Sequence, residues 1–202
     1  LEIINDPTYE ADPEAKAGKA NQRAVALADL LWADGHRICA IGGSDSHNTL
    51  EERYPGATEP SVPGDPATFV YMEDLSAEHL LEGVRSCNCY VTRHCRIETG
   101  LLFGGQLPED KEELPYRICL RGQKEKPEIF YLHNGKRVDC RVTGREDAWE
   151  AAGTVRLTEE AYQWIRFGAE AKDGGFLFYG NAITRGIGKQ KLRTFGEAVK
   201  QL

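Results

Sequence analysis

The sequence predicts an α/β segment over residues 1–95, an all-β segment resembling a small antiparallel sandwich over 96–188, and a helical tail over 189–202. Three observations lead there. Strand-like runs at Leu1–Ile4 and His36–Ile41 bracket a stretch with helical spacing, which is the pattern of a βαβ unit and favours a parallel sheet. After about His94 the helical periodicity stops and short strand-like runs recur. Asn134-Gly135, set between two of those runs, is a strong hairpin signal.

Taken in order, Leu1–Ile4 reads as a strand ended by Asn5-Asp6-Pro7, and residues 6–20, carrying Pro7 and Pro13, read as a loop. From about Lys19 to Ala33, Ala24, Val25, Leu27, Ala28, Leu31 and Trp32 recur at helical spacing, and Gly35 stands where a C-terminal cap belongs. The strand His36–Ile41 follows and breaks on Gly42-Gly43. Residues 48–66, rich in Pro, Gly and Glu, form a long loop. Ala67–Met72 reads as a strand. Ser76 caps a helix that runs to about Arg85, with Leu75 placed to staple onto Leu80. Cys89–Thr92 then completes a second βαβ unit.

The later strand-like runs are Ile97–Phe103, Tyr116–Leu120, Ile129–His133, Arg137–Val142, Thr154–Leu157, Gln163–Ala169 and Phe176–Tyr179. The tail is basic from Lys189 and helical from Phe195 to Leu202.

Bulk composition narrows the function classes. With 202 residues and 41% apolar content, the chain can bury a real core. Its net charge of −7 and the absence of an arginine-rich run argue against constitutive nucleic-acid binding, which runs on phosphate neutralisation. No apolar stretch approaches the length of a membrane span, and no signal-peptide pattern opens the chain. Six cysteines fall short of a disulfide scaffold, so a reduced, cytoplasmic setting is expected. The chain opens on a strand without an initiator Met. The expectation is therefore a fragment whose N-terminal part lies upstream or on another chain.

Chemistry concentrates at Ser44-Asp45-Ser46-His47. Asp45 and His47, two apart after a strand, project to one side, and a carboxylate beside an imidazole at a strand's carboxyl end suits a divalent metal. The bland alternative is a turn with His47 merely exposed. Asn5, Asn48 and Arg53 stand near enough in sequence to serve on the substrate side, although Glu51-Glu52-Arg53 also reads as a solvated face. Cys87-x-Cys89 with His94-Cys95 offers a second ligand set, for structural zinc. Against it, strand alternation would send Cys87, Cys89 and Val91 into the core together. His36, His79 and His133 read as surface residues. No nucleophile elbow, phosphate-binding loop or dinucleotide fingerprint is present, so nucleophilic serine or cysteine catalysis has no support.

These residues resemble a known family. Leu1-Glu2-Ile3-Ile4-Asn5, Leu30-Leu31-Trp32 and above all Gly42–His47 look like the C-terminal part of a PHP (polymerase and histidinol phosphatase) domain, in its CehA/McbA-like branch. Pro63–Val70 resembles that branch's Pro-Gly loop and Thr-containing strand. Tyr90-Val91-Thr92 matches a further strand, with Cys87 where the family has glycine. Gly180-Asn181-Ala182-Ile183 is similar to the Asn-Pro-Ile that closes the appended β domain, with the proline replaced.

The resemblance implies a partial (β/α) barrel, divalent ions (zinc, manganese or iron) and a small phosphorylated or ester substrate. It makes Asp45 and His47 the last two ligands, the others lying upstream of Leu1. On that reading the chain alone is inactive, binds metal weakly or not at all, and covers its open sheet edge by forming a homo-oligomer. The competing reading is a non-catalytic module that binds a partner or carbohydrate on a degenerate scaffold.

Overall fold

The computed structural model describes residues 1–6, 16–47, 49–53, 55–57 and 59–202, the side chains of residues 16–18 excepted. Strand β1 (Glu2–Asn5) and strand β2 (Ile41–Gly43) lie parallel and are joined by helix α1 (Lys16–Ala33). The apolar face of α1, including Ala28 and Trp32, packs on Ile3 and Ile4 of β1. Gly35, at φ +85°, ends the helix, and its N–H returns to the Trp32 carbonyl. Of the anticipated strand 36–41 only Ile41 pairs in a ladder, and the strand runs on through Gly42 and Gly43; before it, the main chain of Ala40 is bonded to a side chain, that of Asn181.

The second unit corrects the sequence reading. Strand β3 (Ala67–Val70), helix α2 (Ala77–Arg85) and strand β4 (Cys89–Thr92) follow in order, but β3 and β4 are antiparallel. The reason is local. Cys87 takes φ +60°, the N–H of Asn88 bonds Gly83 O, and Asn88 O accepts from Tyr71 N. The chain therefore turns back where β3 ends. Ser76 caps α2 by accepting from His79 N, but Leu75 is 97% exposed, so no staple forms.

The rest is β-structure: β5 (Arg96–Thr99), β6 (Gln106–Leu107), β7 (Glu113–Arg121), β8 (Glu128–His133), β9 (Lys136–Asp139), β10 (Val142–Arg145), β11 (Ala148–Arg156), β12 (Gln163–Glu170), β13 (Phe176–Gly180) and β14 (Ile183–Arg185). A short helix α3 (Phe195–Val199) follows, fixed by a capping box between Thr194 and Glu197. Asn134-Gly135, with φ +49° and +82°, turns β8 into β9.

One antiparallel sheet runs β10-β11-β7-β5. A larger one runs β3-β4-β13-β12-β14-β6, with β8 and β9 attached through β12. Their inner faces share a core in which Ile118, Leu120 and Val155 meet Phe167, Phe178 and Ile165. β4 pairs with β13, so hydrogen bonding runs unbroken across residue 96.

The partial (β/α) barrel implied by the PHP resemblance is not formed. Among the described residues there are fourteen strands and three helices, the sheets are largely antiparallel, and no barrel closes. Two contacts weld the N-terminal unit onto the larger sheet. Buried Arg166 of β12 donates Nε and a terminal nitrogen to the two carboxylate oxygens of Asp29 on α1, at 2.7 and 2.8 Å, and lies over the Tyr179 ring. Buried Asn181 donates to Ala40 O and Cys89 O and accepts from Ala40 N. Among the described residues no helix is long and apolar enough to cross a membrane.

Candidate functional site

The site is the end of the N-terminal unit where β2 and β4 finish and β3 begins. Gly42 sits where a Cβ would lie 2.7 Å from Val91 Cγ1 and 2.9 Å from Ile4 O. Only glycine lets β2 pass this close to both neighbours. The Thr68 hydroxyl donates to Gly42 O and accepts from Gly42 N, tying β2 to β3. Cys39 touches Cys89, and Gly42 abuts Val91, so β2 and β4 advance in the same direction. Ser44–His47 therefore emerges at the same edge as Arg93-His94, beside Asp65 at the entry to β3.

Asp45 adopts φ +49°, a conformation tolerated by Asp more readily than by most residues. Reciprocal bonds clamp the flanking serines: Ser46 Oγ donates to Ser61 O, and Ser61 Oγ donates to Ser44 O, both at 2.8 Å. His47 Nδ1–H donates to the Asp45 carbonyl at 2.6 Å, which puts the ring's lone pair on Nε2. The Asp45 carboxylate lies 3.7 Å from the same Nδ1. Both side chains are open to solvent, at 51% for Asp45 and 72% for His47. The pair is thus presented outward on a held loop, with its imidazole tautomer set by a main-chain acceptor. That is how metal-binding histidines are commonly oriented.

The other sequence candidates are distributed differently. Asn5 ends β1 and exchanges main-chain hydrogen bonds with the Asn21 amide, so its backbone is committed to α1. Arg53 is exposed on the long loop. Asn48 lies outside the described residues. The zinc set is divided between the two ends of β4. Cys87 and Cys89 are buried toward Cys39, whereas Cys95 contacts Thr92 and His94 bonds Asp65. A four-residue strand holds its ends too far apart for one ion. Among the described residues no three His, Cys, Asp or Glu side chains are grouped to hold a metal.

Sequence reasoning missed an ionic cluster at this edge. Arg93, its side chain only 9% exposed, pairs with Glu59 and lies 3.6 Å from Asp65. His94 Nδ1 donates to Asp65 Oδ2 at 2.8 Å, while the His94 main-chain N–H donates to Asp65 Oδ1. Asp6, buried at the end of β1, donates its N–H to Gly43 O. Glu59 lies 34 residues from Arg93 and Asp65 lies 29 from His94, so spacing could not group them. The only hint was that Arg93-His94 follows a strand.

Burial works against the Asp65 charge, but the hydrogen bonds and charge of His94, with Arg93, hold its pKa below the usual range. The bond to Asp65 raises the pKa of His94 against the opposing effect of burial. The His94 contribution is whole below its unfolded pKa of about 6.5 and is lost as pH rises through its higher folded value. That of Asp65 is whole above about 3.9 and is lost as pH falls through its lowered folded value. The unfolding free energies of wild type and His94→Gln, measured in urea, should therefore differ most near about pH 5, by at most about 0.5 kcal/mol for a pair this open to solvent, and converge in alkali. An equal gap at mildly acidic and alkaline pH would contradict the ion pair.

Compared with protein-family models and with curated proteins, the chain matches none.

Proposed function

We propose that this edge belongs to a metal-dependent hydrolase, with a phosphate ester or related ester as substrate and Asp45 and His47 as two of its metal ligands. One observation carries the reading: the outward carboxylate–imidazole pair whose Nδ1–H is fixed by the Asp45 carbonyl. A hard oxygen and a borderline nitrogen suit zinc, manganese or iron. A divalent ion held there would lower the pKa of a bound water and draw in phosphoryl oxygens. The chain's own contribution is to hold the two donors on a loop clamped by Ser46 and Ser61, with the Asp65–His94 and Glu59–Arg93 pairs beside it.

Two ligands are fewer than a catalytic ion requires, so weak binding and no turnover are expected of this chain alone. A cytoplasmic setting belongs to the same reading, in keeping with six cysteines that form no disulfide.

Titration with Mn²⁺, followed by its electron paramagnetic resonance signal, tests the ligand assignment. The wild-type chain should bind weakly, and Asp45→Ala or His47→Ala should weaken binding by about tenfold or more. Equal binding by all three chains would remove the assignment. The second reading, a binding module, is favoured by the continuous sheet that joins β4 to β13 and makes the edge part of a largely β architecture. Loss of partner or carbohydrate binding without any metal dependence in the same variants would select it.

A further inference from the structure

At the opposite end of β4 from the ionic cluster, three thiols meet. Cys39, in the segment entering β2, has its sulfur 3.2 Å from that of Cys89. Cys87, two residues before Cys89, lies near enough to Cys39 for each thiol to influence the other's ionisation. Cys39 is 50 residues from Cys89 in sequence, so tertiary structure alone brings it to the Cys87–Cys89 segment. Asn181 Nδ2 donates to Cys89 Sγ at 3.2 Å. Cys87 forms part of the wall of a cavity of about 140 Å³ with Arg37, Ile38, Trp32 and Thr184. Cys39 is half-buried, while Cys87 and Cys89 are buried.

We infer that Cys39 and Cys89 form a reversible, peroxide-sensitive disulfide site, with Cys87 as the third thiol that can replace Cys89 as the partner of Cys39. Closing the bond means shortening 3.2 Å to about 2.05 Å. The hydrogen bond from Cys39 favours the Cys89 thiolate against burial and lowers its pKa. On Cys39, the nearby Cys87 thiol favours the thiolate, but the hydrogen bond with Cys89 and burial prevail and push its pKa up to about 11. Cys89 is thus the nucleophilic partner and Cys39 the resolving one.

The oxidant is a small hydroperoxide, which reaches the thiol pair from the side of half-buried Cys39. The Cys89 thiolate attacks a peroxide oxygen, an S–O bond forms, the O–O bond breaks and hydroxide leaves. The sulfur loses two electrons and becomes a sulfenic acid. The Cys39 thiol then attacks that sulfur, the S–S bond forms, the S–O bond breaks, and hydroxide leaves with the thiol proton as water. In sum, two thiols and one hydrogen peroxide give one disulfide and two waters. The new bond ties the entry to β2 covalently to the start of β4, at the far end of that strand from the loop that carries Asp45 and His47. The inference does not depend on that loop binding metal.

The test is brief treatment of the whole chain with hydrogen peroxide, alkylation under denaturing conditions, and peptide mapping by mass spectrometry. The expected product is a Cys39–Cys89 cross-linked peptide, reversed by a thiol reductant and formed about tenfold faster than any oxidation of Cys119 or Cys140. In Cys89→Ser the link should shift to Cys39–Cys87. Recovery of Cys39 and Cys89 fully alkylated, or links spread evenly over all cysteines, would overturn the inference. Because the main readout is on the wild-type chain, misfolding of a variant cannot mask the outcome.

Discussion

Replacing Asp29 by alanine is expected to lower the unfolding free energy by about 3 kcal/mol, measured by urea denaturation, because it strands a buried guanidinium. Arg166 leaves β12 with almost no exposure and reaches both carboxylate oxygens of Asp29 on α1. Without that carboxylate its charge would retain the Tyr179 ring, a far weaker partner than a bidentate anion. The double variant Asp29→Ala/Arg166→Met should regain much of the loss, since an apolar side chain of similar length removes the stranded charge. If Asp29→Ala proves neutral, the pair does not weld helix to sheet, and the placement of β1 and β2 rests on the Asn181 and Thr68 contacts instead.

Asn181→Ala should cost about as much, roughly 3 kcal/mol, for a different reason. The Asn181 amide satisfies both the N–H and the C=O of Ala40, neither of which takes part in a ladder, and the carbonyl of Cys89 as well. Ala40 is buried, so its N–H would lose this partner and its C=O would keep a weak thiol donor where water does not readily replace the amide, while Cys89 O would keep the main-chain N–H of residue 181. Asn181→Asp should be no better than alanine: a carboxylate can still accept from Ala40 N, but it cannot donate to the two carbonyls and brings a buried charge. Hydrogen exchange gives the local readout. The Ala40 amide should exchange faster in both variants, while amides of β7 and β11, in the other sheet, change only with global stability. Unaltered exchange at Ala40 would show that the side chain is not what holds the segment.

The placement of Asn181 also marks what the sequence could not disclose. Gly180-Asn181-Ala182-Ile183 stands out in the sequence only by its similarity to an Asn-Pro-Ile motif, and nothing in its spacing says that an amide there serves a main chain more than a hundred residues upstream. The direction of β4 was hidden for a related reason. Periodicity identifies a helix between two strands, yet the antiparallel return depends on a left-handed turn at Cys87, a residue with no intrinsic preference for one. Strand β11 escaped notice along Ala151-Ala152-Gly153, which carries little β propensity. The Tyr116 side chain fills the space of the missing Gly153 side chain, with its hydroxyl 2.8 Å from where a Cβ would be.

Local chemistry was legible where a residue acts on its own neighbours. The N-cap at Ser76, the helix stop at Gly35 and the Asn134-Gly135 turn all follow from backbone conformations that those residues favour. The sequence by itself also set Asp45 and His47 side by side after a glycine turn, because a separation of two residues is enough to do so. Only the tertiary structure decided what surrounds them, an antiparallel sheet in place of a barrel and the Glu59–Arg93 and Asp65–His94 pairs at the same edge, and brought Cys39 to Cys89 at the far end of β4. Such contacts join residues tens of positions apart. They are fixed by how strands are ordered and directed, which no local pattern encodes.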